Sequence, residues 1–267
     1  MMLIKIIVAG ILACMFCLDV SAQYKITVSI DGYQNDTCIL GYQVGGTTYV
    51  SNAVYERNQK GAFVFEGETT LLGGLYSVLI KPDNKYFQFI ISSDEAQKDL
   101  ILRTKITDNP AVELTANLKV ENSKDNEVFM AFKSFLGQMR QKSQSLGRRR
   151  SSAEAQNDTA LIRQLSAKFL ALDQEVASYQ DQLLLDYPDL LSPKIINGSR
   201  PPVVPDTIKD RAAVFNYYKA HFWDNFDWSD ARLIRTPILK QKMDTYLIHC
   251  GQWNLVQLTP IKKLLQK

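Results

Sequence analysis

Histidine is almost missing from this chain: His221 and His249 are the only two in 267 residues. With only two histidines, a hydrolase triad is poorly supported. Nor is there a glycine-rich phosphate loop, a G-x-S-x-G elbow or an H-E-x-x-H pair, which removes the common nucleotide, serine-hydrolase and zinc-protease signatures. Cysteine is scarce too, with four in all. Two of them, Cys14 and Cys17, spell C-x-x-C, but they fall in a segment that export would remove. Charge of either sign is not in excess: the net value is +3. Such a balance argues against a nucleic-acid-binding surface, which normally shows a clustered basic face. The one cationic run, Arg148-Arg149-Arg150, sits between Gly147 and Ser151, where it is expected in a solvated turn between helices.

What is present begins with a leader. Lys5, the apolar run Ile6 to Leu18 and the small residues Val20-Ser21-Ala22 read as a signal peptide over residues 1–22. The run is shorter than the roughly 20 residues a membrane span needs. Ile11-Leu12-Ala13 before Cys14 resembles a lipobox, so the membrane enters only if Cys14 is lipidated. The expected location is the periplasm or cell envelope. Cys38 and Cys250 then remain; two buried free thiols are expected, with a disulfide between them in an oxidising compartment as the alternative.

Residues 23–120 read as an antiparallel β-sandwich. Ile26, Val28 and Ile30 alternate with Lys25, Thr27 and Ser29, the period of a half-buried strand. Further β-rich runs follow to Val112–Val120, divided by turn residues such as Gly45-Gly46, Gly73-Gly74 and Pro82-Asp83-Asn84. Tyr33, Tyr42, Tyr49 and Tyr55, with Phe63 and Phe65, suit strand packing; an exposed set would instead form a sugar-stacking surface.

Residues 121–267 read as an α-helical domain, so the fold class is α+β. Phe129, Phe132, Leu136, Met139 and Leu146 recur at helical spacing, as do Ile162, Leu165, Phe169, Leu172, Val176, Tyr179 and Leu183. Joined through Gly147 to Asp158, the two segments predict a long antiparallel helical hairpin. Tyr187-Pro188 ends the second helix. Pro193, Pro201-Pro202 and Pro205 predict an extended linker over about 193–206. A further helix is expected from Asp206-Thr207, and another from Pro237.

The densest chemistry lies in His221-Phe-Trp-Asp-Asn-Phe-Asp-Trp-Ser-Asp230. His221, Asp224 and Asp227, three residues apart, are the candidate cation ligands. The competing reading is structural: aspartate and serine cap a helix restart, while Trp223, Phe226 and Trp228 plug the core. The structural reading is preferred, leaving no catalytic residue, metal or cofactor assigned.

The same segment carries a family resemblance. Trp223, Asp224, Asn225, Asp227, Arg232, Arg235, Thr236 and Pro237 stand as in the helical domain of unknown function of Gram-negative cell-envelope proteins. Ser123-Lys-Asp-Asn126 and Tyr187-Pro-Asp189 are similar to that domain as well. Gly61-Ala-Phe-Val-Phe-Glu-Gly67 and Gly74-Leu-Tyr-Ser-Val-Leu79 resemble strands of the β-domain that precedes it. In the family a thioredoxin-like thiol–disulfide oxidoreductase domain follows, and its cysteine pair does the chemistry. The sequence ends at Lys267, so that domain is expected to be absent. The resemblance thus implies a non-catalytic accessory or interaction module. Its implied partners are a thioredoxin-like protein or another envelope protein. A shortened oxidoreductase relative and a glycan-binding protein are the alternatives.

Overall fold

The computed structural model describes residues 22–82, 84–92, 97–107 and 114–250, without the side chains of 249 and 250. The leader, Cys14 and Cys17, the imidazole of His249 and the thiol of Cys250 lie outside what is described. The described residues form an α+β molecule of eight strands in two sheets, followed by five helices.

The strands are β1 (Tyr24–Asp31), β2 (Cys38–Val44), β3 (Thr47–Val54), β4 (Phe63–Gly67), β5 (Gly74–Ile80), β6 (Lys85–Ile91), β7 (Leu100–Lys105) and β8 (Lys119–Glu121). One sheet runs β4-β1-β7-β8 and the other β3-β2-β5-β6. The alternation read in β1 holds: Ile26 and Val28 are fully buried while Lys25 is exposed. Phe63 and Phe65 meet Phe87, Phe89, Leu40 and Leu102 in one core between the sheets. Cys38 is buried there as a free thiol, and burial pushes its pKa up to about 12.

The sandwich departs from the antiparallel expectation at one pairing. β1 and β7 run parallel, with Ile26 opposite Leu100 and Asp31 opposite Lys105. A parallel neighbour needs a long return path, and five strands of the chain lie between the two. The expected strand over Val112–Val120 is also shorter, reduced within the described residues to a 3-10 turn at Leu114–Asn117 and β8.

The helices are α1 (Lys124–Ala155), α2 (Thr159–Asp186), α3 (Leu191–Gly198), α4 (Arg211–His221) and α5 (Pro237–Cys250). α1 and α2 form the long hairpin, and at 1.5 Å per residue α1 is about 48 Å long. Ser123 caps α1 by accepting from Asn126 N, and Asp158 caps α2 by accepting from Leu161 N. The seam holds Phe132, Met139, Leu165 and Leu183, with Tyr179 stacked on Phe135 at 4.3 Å.

Three boundaries differ from expectation. The connection between α1 and α2 is only Gln156–Asp158, because Gly147 is carried inside α1; Arg148-Arg149-Arg150 is therefore helical rather than a turn. Pro193 lies in the first turn of α3, where a missing N–H costs no helical bond, so the extended stretch starts after α3. α4 starts at Arg211, not near Asp206, because Asp210 accepts from Ala213 N at 2.8 Å and fixes the cap.

Candidate functional site

The segment singled out by the sequence sits where the helical half meets the sandwich. After α4 the chain turns through Phe222–Ser229. Asp230 caps a 3-10 turn, Ala231–Arg235, and Pro237 opens α5. Phe226, Leu233 and Ile238 pack with Leu191 of α3 against Leu75 and Ile90 of the sheet. Trp223 lies edge-on to Phe226 at 6.0 Å, while Trp228 is 65% exposed and only edges the cluster.

Polar groups fasten the same seam. Arg232 pairs with Asp230 at 2.6 Å and donates to the carbonyls of Ser92 and Asp189, each at 3.0 Å. One guanidinium thus ties together the sheet edge, the loop after α2 and its own turn. Lys194 of α3 bridges Asp227 and Asp230 at 3.0 and 2.9 Å. The hydrogen bond from Arg232 holds the Asp230 carboxyl far below the usual carboxylate range, against a burial cost that pushes the other way. Bonds from Ser229 and then Lys194 lower Asp227 as well. Burial pulls the Lys194 pKa down, but bonds to Asp230 and Asp227 outweigh it and leave the value raised.

Two glycines make this approach possible. A Cβ on Gly73 would stand 2.7 Å from Arg232 Cδ, and one on Gly74 would stand 2.6 Å from Arg235 Cβ and 2.8 Å from the Arg235 carbonyl. Arg235 Nε donates to the Gly73 carbonyl at 2.8 Å. Gly73-Gly74, which reads in sequence as a turn, is the floor on which the 3-10 turn rests.

Two residues at the start of α1 complete the joint. Asp125, buried, accepts from Leu191 N and Ser192 N at 2.7 Å each and so caps α3 from another helix. Asn126, also buried, accepts from Ile90 N and donates to the Ile90 carbonyl, both at 2.7 Å. Its amide stands in for one residue of a neighbouring strand and closes the edge of β6. Sequence reasoning placed Ser123–Asn126 in a family motif without these roles. The available signal was the N-cap serine, which fixes where α1 starts.

The three candidate cation ligands are not gathered. His221 Nδ1–H donates to Asp224 Oδ2 at 2.6 Å, and the imidazole stacks on Tyr217 at 4.1 Å. Asp227 turns away to Ser229 and Lys194. Among the described residues, no three His, Cys, Asp or Glu side chains are grouped to hold a metal. The His221–Asp224 pair borders a small cleft of about 190 Å³ with Arg200, Pro201, Tyr217 and Asn225. The cleft lining contains no serine, threonine, cysteine or lysine. Lys242 of α5 is buried over Phe222 and Trp223, 4.5 and 5.7 Å from the ring centres, and burial lowers its pKa.

A larger cleft, about 570 Å³, is lined from β1, β2, β3 and β5 and from the loop after β4, next to Arg235. Tyr24, Tyr42 and Tyr76 line it, with Thr69 and Thr70 in the loop after β4. Tyr76 donates to the Leu72 carbonyl at 2.8 Å, and burial pushes its pKa up to about 12. Of the aromatics noted in sequence, Tyr33, Phe63 and Phe65 are in the core, whereas Tyr49 and Tyr55 are exposed. Tyr42 is half-buried and stacks on Tyr49 at 5.6 Å.

Comparison with known proteins finds one family. Its model, Domain of unknown function (DUF5106), matches residues 164–266, from the second helix of the hairpin through the joint. No curated protein and no solved structure matches the chain.

Proposed function

We propose that this chain is a non-catalytic, exported module of the cell envelope, an accessory or interaction unit that holds its hairpin arm in a fixed orientation on the sandwich. The observation behind this reading is the use made of charge in the joint. Asp125, Asp230, Arg232 and Lys194 are each committed to bonds that hold elements together. The His221–Asp224 pair has no serine, cysteine, threonine or lysine beside it in its cleft. Export rests on the leader of residues 1–22.

The test is an insulin-reduction assay with the purified chain. No turnover is expected from the chain alone, and turnover would sink the reading. Activity of a separate thioredoxin-like protein that rises above its own rate when the chain is added would favour the role of oxidoreductase partner.

A second reading, glycan binding, draws on the tyrosine-lined cleft near Arg235. Tyr24 and Tyr76 are buried, so the surface a sugar ring would meet is the half-buried Tyr42 stacked on exposed Tyr49. Calorimetry with soluble oligosaccharides decides it: heat that disappears in Tyr42→Ala would support this reading, and its absence would end it.

A further inference from the structure

The hairpin segregates its charge along its length. Over residues 139–172, its outer part, seven cations face two carboxylates. Both carboxylates are engaged locally: Glu154 pairs with Arg150 at 2.9 Å, and Asp158 caps α2. Arg140, Arg148, Arg149, Arg163 and Lys168 are exposed and have no ion-pair partner among the described residues. The rest of α2 carries Asp173, Glu175, Asp181 and Asp186 and no cation. An ordinary solvated helix interleaves the two signs.

Helix stability gives no reason for this pattern. The helix dipole favours acids near an N-terminus and bases near a C-terminus. α2 does the reverse, with Arg163 and Lys168 in its first half and acids in its second. In α1 the three arginines lie more than a turn before Ala155, and the last turn holds no base. The dipole effect has faded at that distance.

The arrangement of the arginines narrows the partner. Successive helical residues point about 100° apart, so Arg148, Arg149 and Arg150 face three sides of α1 and form a collar rather than a stripe. A partner docking on one face, such as a nucleic-acid groove, would meet only part of a collar. A layer of anionic headgroups that the arm enters end-on meets all of it. No large apolar side chain between residues 140 and 165 is among the exposed ones, so nothing there would anchor below the headgroups. None of the described helices is long and apolar enough to cross a membrane.

We propose that the outer end of the hairpin docks end-on, by charge alone, on a bilayer surface of anionic glycerophospholipid. Each cation near such a surface multiplies partitioning about fivefold. The attraction fades within a Debye length, so the acids nearer the sandwich do not oppose it.

The experiment is co-sedimentation of the full chain with phosphatidylglycerol vesicles and with phosphatidylcholine vesicles, at low and high salt. Binding is expected to phosphatidylglycerol only and to vanish at high salt. R148E/R149E/R150E should weaken it by at least about a hundredfold with an unchanged circular dichroism spectrum, while R148K/R149K/R150K should retain it. Should the glutamate variant fail to fold, R148Q/R149Q/R150Q takes its place. Equal binding by wild type and charge variant overturns the proposal, as does binding that survives salt, or no binding at all. Preference for duplex DNA over vesicles at equal phosphate overturns it in favour of nucleic acid. These outcomes are independent of the insulin assay, since a non-catalytic module need not touch lipid.

Discussion

The joint and the outer hairpin are built from the same kinds of residue and treat them in opposite ways. In the joint, Arg232 reaches Ser92 and Asp189, and Asp125 reaches Leu191 and Ser192, contacts that span tens of residues or more. In the outer arm the ion pairs are either short-range, as Arg150 to Glu154, or single exposed bridges, as Lys142 to Glu175. Buried charge that loses its partner is costly, whereas an exposed pair contributes little. Residue type therefore does not assign a role here. A charge fixes the fold where it satisfies buried backbone groups, and it is left free for a partner where water already surrounds it.

The largest effect expected from breaking this contrast is at Asp125. Asp125→Ala leaves two N–H groups at the buried start of α3 without acceptors. A loss of about 3 kcal/mol in urea unfolding is expected. A loss below about 1 kcal/mol would mean that the joint is softer than its bonds suggest.

The second effect is a pH dependence. The folded Asp230 and Asp227 carboxyls titrate below their unfolded values, so their stabilisation is complete above the unfolded pKa of about 3.9. It is lost as the pH falls below that toward the depressed folded values. The urea midpoint of the chain should drop through this acid range. In Asp230→Asn the drop should be shallower and the neutral-pH midpoint already lower. An identical acid slope in both proteins would place the sensitivity elsewhere.

The smallest effect lies in the arm. Leu170 is 59% exposed on α2, so Leu170→Ala should change stability by under about 0.5 kcal/mol. Fully buried Leu165, earlier in the same helix, should lose about 2–3 kcal/mol as alanine. A large loss at Leu170 would reveal that this face is covered in solution, which would break the picture of a free arm.

Legibility followed the range of the interaction. The period-2 burial of β1, the helical stripes, the Ser123 and Asp158 starts and the helix at Pro237 are local patterns, and they were readable. The parallel β1–β7 pairing was not, since alternation is the same in both directions. The position of Arg148-Arg149-Arg150 was misread because Gly147 resembles a break, yet a single glycine within a helix costs it only about 1 kcal/mol. In the His221–Asp230 segment a capping aspartate was expected, and Asp230 supplies it, but the pairing of Asp227 with Lys194 was not. Lys194 lies in a segment that reads as linker, and nothing local marks it.

By itself the sequence determined an α+β order, the hairpin and the crowding of chemistry between His221 and Pro237, because each arises from neighbours within a few turns. Only the tertiary structure decided that Gly73-Gly74 forms a floor, that Asp125 caps a helix 66 residues away and that Asn126 closes a sheet edge. Those outcomes depend on which backbone groups the fold leaves unsatisfied and buried, and no stretch of sequence specifies that alone.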